Sequence, residues 1–341
     1  MNRRLNSFWH LALIVAAVLI IGAVTSHFVV RFLKIKATAV TYRVIGSQNG
    51  EPRAFLEGSS LTLDAVDWDL VSEKLGTGIE MWGVAGSSPS EWEVLQRRSP
   101  KTTWTFLGVS PFDLNEDFIC DFRADIVPLG ETLQDLLACK AGWAFSKKVV
   151  SQYALAFTRK AFPTAGRSDG VMVGIRDNLN SLFHAASAVE MDSGPRFPSV
   201  APSLDEEKVS DWSEARIERR LVSMRCACQG KHEFNGLKRI ALQRMIKRAT
   251  RQGQVVVVAL PVSPIYRKEL LTPEELNAYQ RALADLYNEY PQIQVVRIDR
   301  IEDLFSNDRF YDFVHLNRGG RQIATGELLR KIDLQTAAGV K

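Results

Sequence analysis

The chain has 341 residues, 46% of them hydrophobic, which suffices for one large core or two modest ones and excludes a disordered protein. Its formal net charge of +4 is mild. Much of the basic excess lies near the N-terminus and in residues 237–252, where Leu237, Ile240, Ala241, Met245, Ile246 and Ala249 keep helical spacing between lysines and arginines. That is a solvated helix face packed on a sheet, and nucleic acid is not an expected partner.

In chain order, the first feature is the run from Phe8 to Val30, 23 residues without Asp, Glu, Lys or Arg. At about 1.5 Å per residue such a helix spans a hydrocarbon core of about 30 Å. No convincing small-residue cleavage site comes after it, so residues 1–36 are expected to be an uncleaved signal anchor, a single transmembrane helix, with His10 and His27 structural near its ends. Arg3 and Arg4 precede the span, and Arg31, Lys34 and Lys36 come after it, so charge leaves orientation almost balanced. A leading anchor with no later span exports the domain behind it. The expectation is a single-pass protein of the cytoplasmic membrane with its main domain outside the cytoplasm; the opposite orientation would make it a cytoplasmic-facing lipid esterase.

Residues 37–52 read as a linker, and 53–341 as one α/β domain. Strands are predicted at 54–58, 79–86, 103–110, 254–263 and 293–299, and helices over 63–76, in residues 88–98, over 273–290 and over 319–332. Alternation of this kind predicts a doubly wound, mostly parallel sheet between helical layers. The apolar run "QVVVVALPVS" is its central strand. A stretch at about 141–236 breaks the rhythm, with one helix near 145–160, and reads as an insertion of helices and loops, either a substrate lid or a solvated decoration.

Open α/β sheets place their sites beyond the carboxyl ends of the strands. That rule draws together "EGSSLT", "GVAGSS", "GVSPFDLNED" and "YDFVHLNRGGR". Ser59 and Ser60 come directly after Gly58 at a strand-to-helix turn, where a serine is either a helix cap or a nucleophile. Asp312 and His315 stand three residues apart, a spacing at which the carboxylate holds one imidazole nitrogen and leaves the other to act as a base. Of five histidines, His10 and His27 fall in the apolar run, His184 in a helix-like apolar run and His232 in a polar turn, leaving His315 as the one with a carboxylate at usable spacing.

Together these blocks resemble the SGNH (GDSL-like) hydrolase superfamily, whose fold is a three-layer α/β/α sandwich of flavodoxin-like type. Its Gly-Asp-Ser block is matched by Gly58-Ser59-Ser60-Leu61, which implies Ser60 as nucleophile with its own N–H in the oxyanion hole. The "WGVAG" block implies Gly83 as a second donor, and Asp-x-x-His is matched by Asp312 and His315. The third block departs, because Gly108-Val109-Ser110-Pro111 stands where the family carries Gly-x-Asn-Asp. Asn115, or Ser110 instead, is left to supply that donor. With the anchor, the resemblance is to membrane-anchored envelope members that transfer acyl groups to teichoic acid or exopolysaccharide.

The resemblance implies a serine esterase or O-acyltransferase acting on envelope or exported polysaccharide. Its partners would be an acylated polysaccharide or acyl donor, and a membrane acyl-transfer or polysaccharide-export complex. The rival is an inactive scaffold of the same fold that binds polysaccharide. No P-loop or dinucleotide fingerprint occurs where a strand meets a helix, so no cofactor is expected. Cys120, Cys139, Cys226 and Cys228 allow three pairings that sequence leaves open, and they lack a partner pair at zinc spacing, so no metal is expected.

Overall fold

A computed structural model describes residues 13–26, 41–45, 54–83, 86–97, 101–116, 123–162, 206–227 and 234–338. The chain divides into two compact units, Met1–Ala39 with Lys147–Pro195, and Val40–Ser146 with Arg196–Lys341.

In the first unit, residues 13–26 form helix α1, on which Leu13, Ile20, Ile21 and Val24 are exposed. No helix among the described residues is long and apolar enough to cross a membrane. Residues 8–12 and 27–30, the two ends of the predicted span, lie outside the described residues.

The second unit is built on a six-stranded sheet of order β1-β3-β2-β4-β5-β6. The strands are β1 (Thr41–Ile45), β2 (Ala54–Gly58), β3 (Ile79–Gly83), β4 (Trp104–Val109), β5 (Gln254–Ala259) and β6 (Gln294–Arg297). Five run parallel, and β1 lies antiparallel on β3 with Thr41 opposite Gly83 and Ile45 opposite Ile79. The linker expected over 37–52 therefore contains an edge strand. "TYRVI" is too short to announce itself by pattern, and it is the open edge of β3 that holds it extended.

Helices cover both faces. The pleat of β5 sends Val256 and Val258 into one core and Val255, Val257 and Ala259 into the other. The first core takes Leu61 and Ala65 of α2 (Ser60–Ala65), Trp68 and Val71 of α3 (Trp68–Leu75), and Ala324, Leu328 and Ile332 of the C-terminal helix. The second takes Trp92 of α4 (Pro89–Gln96), and residues of Leu237–Ala249 and Pro273–Glu289. The α/β architecture is thus a three-layer sandwich with a mostly parallel sheet. After β4 come α5 (Pro111–Leu114), α6 (Arg123–Ile126) and α7 (Leu129–Ala138), then α8 (Trp143–Ala161), which from Lys147 onward belongs to the first unit. The remaining α-helices among the described residues are α9 (Glu214–Ala227), α10 (Leu237–Ala249), α11 (Pro264–Leu270), α12 (Pro273–Glu289) and α13 (Arg318–Ala338). Within the expected insertion, α8 covers the helix predicted near 145–160, and α9 is a second helix there.

The helix expected over 63–76 is two helices. Asp67 caps α3 by accepting from Leu70 N at 3.3 Å, while its own N–H donates to Thr325 Oγ1 at 2.9 Å, so the chain turns at Val66 and a new helix starts. Gly76, at φ 64°, closes α3 in the left-handed region.

Strand order alone locates a crevice. From β2 the chain goes outward to β3 and then crosses back to β4 on the other side, so the switch point lies between the carboxyl ends of β2 and β4.

Candidate active site

Ser60 is the first residue of α2, immediately past β2. Ser59 is the cap: its Oγ accepts from Leu61 N at 3.2 Å and its carbonyl from Thr62 N at 3.1 Å. The two adjacent serines therefore divide the work, with Ser59 buried and holding the helix end while Ser60 is only half-buried. The N–H of Ser60 falls in the first helical turn, where no intrahelical acceptor exists, and it makes no hydrogen bond among the described residues.

Across the crevice, residues 310–316 form a tight loop closed by a bridge between Phe310 and Leu316, with Tyr311 N donating to His315 O at 3.1 Å. Inside it, Asp312 Oδ1 accepts from the backbone N–H groups of both Val314 and His315 at 2.8 Å. This turn explains the three-residue spacing, because the carboxylate that folds the loop also faces the imidazole it has just positioned. His315 Nδ1 lies 2.9 Å from Asp312 Oδ2. His315 Nε2 lies 3.0 Å from Ser60 Oγ. The structure thus brings together the three residues predicted for catalysis, 255 positions apart in the case of Ser60 and His315. With the Nδ1 proton held by Asp312, Nε2 is left to accept from the serine hydroxyl.

Burial and these contacts set the electrostatics. Burial draws the imidazole pKa down, but the Asp312 hydrogen bond and charge outweigh it, and His315 ends above its ordinary value. Burial raises Asp312, yet the His315 contacts and the Val314 and His315 N–H groups win, so its carboxyl ends below the usual range.

Around this core stand residues that sequence reasoning did not select. The Tyr311 ring stacks on His315, with centroids 5.2 Å apart and planes 8° from parallel, and its hydroxyl donates to Asp64 Oδ2 at 2.9 Å. Burial raises the Asp64 carboxyl, opposed by the charge of His315 and by Tyr311. Spacing could have found Asp64, because it lies one helical turn beyond Ser60. Arg220 of α9 lies 3.5 Å from Asp312, a contact that no local pattern announces.

The residues predicted as oxyanion donors divide. Gly83 ends β3 on the rung of Gly58, two residues before Ser60, and residues 84 and 85 lie outside the described residues. Ser110 is excluded by its own bonds. It caps α5, its one hydroxyl proton goes to Asp113 Oδ2 at 2.8 Å, and its oxygen accepts from Asp113 N. Asn115 closes α5 fully buried, with its carbonyl accepting from Lys238 Nζ at 2.5 Å, so it presents no surface to a bound substrate. Asp113 occupies the space beneath: burial lifts its carboxyl pKa while the hydroxyls of Ser59 and Ser110 and the charge of Lys238 oppose the rise. A buried polar network stands at the position expected to supply the third donor.

His10, His27, His184 and His232 lie outside the described residues, as do Cys120 and Cys228. Cys139 is a free thiol. Among the described residues no group of three or more His, Cys, Asp or Glu side chains is placed to hold a metal ion. Compared with known families and with curated proteins, the chain matches no family model and no curated sequence.

Proposed function

We propose that the protein is a serine acyl-ester hydrolase or O-acyltransferase of SGNH type, anchored in the cytoplasmic membrane through residues 8–30, with its α/β domain outside the cytoplasm and acting on envelope or exported polysaccharide. The single observation that carries the chemistry is the 3.0 Å contact of Ser60 Oγ with His315 Nε2, backed by Asp312. The anchor rests on the uncharged run of 23 residues and on the exposed apolar side chains of α1.

In this reading Ser60 Oγ attacks the ester carbonyl as His315 Nε2 takes its proton. The Ser60 N–H, and the Gly83 N–H proposed beside it, receive the negative oxygen. Collapse breaks the ester C–O bond, and His315 returns the proton to the departing alkoxide. A water or a sugar hydroxyl then gives its proton to Nε2 and attacks the acyl-serine, and as the bond to Ser60 Oγ breaks, Nε2 returns that proton to the serine. Water makes the step hydrolysis, and a sugar hydroxyl makes it transfer.

Incubating the full chain in detergent with a fluorophosphonate probe tests the reading. Ser60→Ala should abolish labelling, while Ser59→Ala, which loses a cap worth about 1 kcal/mol, should retain it. Adduct formation by Ser60→Ala would reject the nucleophile. A second reading, a non-catalytic polysaccharide-binding scaffold, is favoured by the commitment of Ser110 and the burial of Asn115 in the third block. It expects no adduct in the unmodified protein.

A further inference from the structure

A cleft of about 450 Å³ opens beside the triad. One wall is α9, which contributes Arg216, Arg219, Arg220 and Ser223; the rest is lined by Glu207, Trp212, Tyr311 and Asp312, so three guanidinium groups face two carboxylates. The four α9 positions keep a spacing of three, four and seven from Arg216, so they share one helical face. The acids of the same helix, Glu214 and Glu218, stand two residues either side of Arg216 and point away from that face. Charge on α9 is therefore segregated, cations toward the cleft and anions away from it.

The three arginines are not equivalent. Arg216 pairs with Glu207 and lies 3.9 Å over the Trp212 ring, so its charge and one face are already engaged. Arg220 approaches Asp312 at 3.5 Å, but that carboxylate is shared with His315. Arg219 is exposed and makes no ion pair among the described residues. A guanidinium presents a planar fork that fits the two oxygens of a carboxylate or phosphate.

We propose that this cleft is a subsite for an oxyanion carried by the substrate glycan, with Arg219 as its main ligand and Arg220 shared between that anion and Asp312, so that the ester handled at Ser60 belongs to an acidic sugar polymer. The proposal deepens the catalytic reading and rests on it for the identity of the ester, while the cleft itself can be tested without turnover. The anion is a sugar carboxylate or a sugar phosphate, which share this recognition chemistry.

Two measurements on the full chain in detergent decide it. In the first, acetate release is monitored from mono-O-acetylated methyl glucuronoside and from the neutral methyl glucoside at low salt. A preference for the uronoside of about tenfold or more in kcat/KM is expected, fading as salt screens the charges, and Arg219→Glu should erase it by lowering the uronoside far more than the glucoside. Equal kcat/KM for the two esters, or an equal fall for both in Arg219→Glu, would overturn the subsite. In the second, oligogalacturonate, a phosphorylated oligosaccharide and neutral maltohexaose are titrated onto Ser60→Ala by calorimetry. Tighter binding of either acidic ligand, lost on adding Arg219→Glu, supports the proposal and tells carboxylate from phosphate; neutral binding as tight as acidic sinks it. Absent turnover of both esters together with absent probe labelling would reject the catalytic reading, and the titration would still decide the cleft.

Discussion

Asp312 does two things with one carboxylate: it accepts two backbone N–H groups that fold its own loop, and it fixes the proton on His315 Nδ1. Asp312→Asn keeps an acceptor for the loop but can donate to the imidazole, favouring the tautomer that cannot take the Ser60 proton. Activity toward an ester should fall by about 10⁴ with the fold intact, checked by kinetics beside circular dichroism. The remaining activity should also change its pH profile. In the proposed mechanism catalysis needs neutral His315, and because its pKa is raised, the acid limb of kcat/KM is expected above the ordinary histidine value of about 6.5. Without the aspartate charge the limb should move to lower pH; a limb that stays in place would mean that Asp312 does not set the imidazole pKa. At this scale the sequence was most legible, because an Asp-x-x-His turn is local. Arg220 and Tyr311 were not legible, since an arginine in a basic helix and a tyrosine in a loop look alike whether or not they touch a triad.

The position of Ser60, the proposed nucleophile, is an element-scale matter. Helix α2 sits close on the sheet because Thr62 packs over two strand glycines and donates to Gly108 O at 3.2 Å. A Cβ on Gly58 would lie 2.3 Å from Thr62 Cβ, and one on Gly108 2.7 Å from it, so neither position accepts a side chain while α2 stays where it is. Gly108→Ala should therefore shift α2, pull Ser60 from His315 and lower ester hydrolysis by about tenfold or more, since small misplacements of reacting groups are costly. Adding Thr62→Ala should restore part of that loss. If Gly108→Ala leaves the rate unchanged, the seat of α2 does not control the nucleophile. Gly108 stands out in the sequence by motif, whereas its physical reason, the approach of Thr62, lies 46 residues away along the chain. The break between α2 and α3 escaped pattern reading for a similar reason: Asp67 is a common enough helical residue until Thr325 of α13 takes its N–H.

For the molecule as a whole, Glu57 sets a pH dependence of stability. It lies fully buried in β2 with neither carboxyl oxygen hydrogen-bonded among the described residues. Burial raises its pKa well above the usual range, with Arg248 opposing and Glu93 reinforcing the rise. The unfolded chain releases this proton near pH 4.3, while the folded chain keeps it to higher pH. Between those points the native state binds more protons, so stability falls as pH rises. His315, also raised, adds a loss of the same sign above about pH 6.5, which makes the difference between variant and parent the useful quantity. Glu57→Met should stabilise the protein at pH 8 by about 1–3 kcal/mol, with a smaller gain at pH 5, measured by urea unfolding. Equal gains at both pH values would show that Glu57 does not titrate across this range.

By itself the sequence determined the features that depend on neighbours in the chain: the alternation of strand and helix, the valine run of β5, the cap-like serines and the Asp-x-x-His turn, because propensity, periodicity and turn chemistry act over a few residues. Tertiary structure decided the features that depend on packing between distant segments. It paired "TYRVI" with β3, made Ser59 the cap and Ser60 the partner of His315, spent Ser110 on Asp113, and turned one basic face of α9 toward the triad. Each of those outcomes is a choice among partners that look equivalent until the sheet order brings one of them within hydrogen-bonding distance.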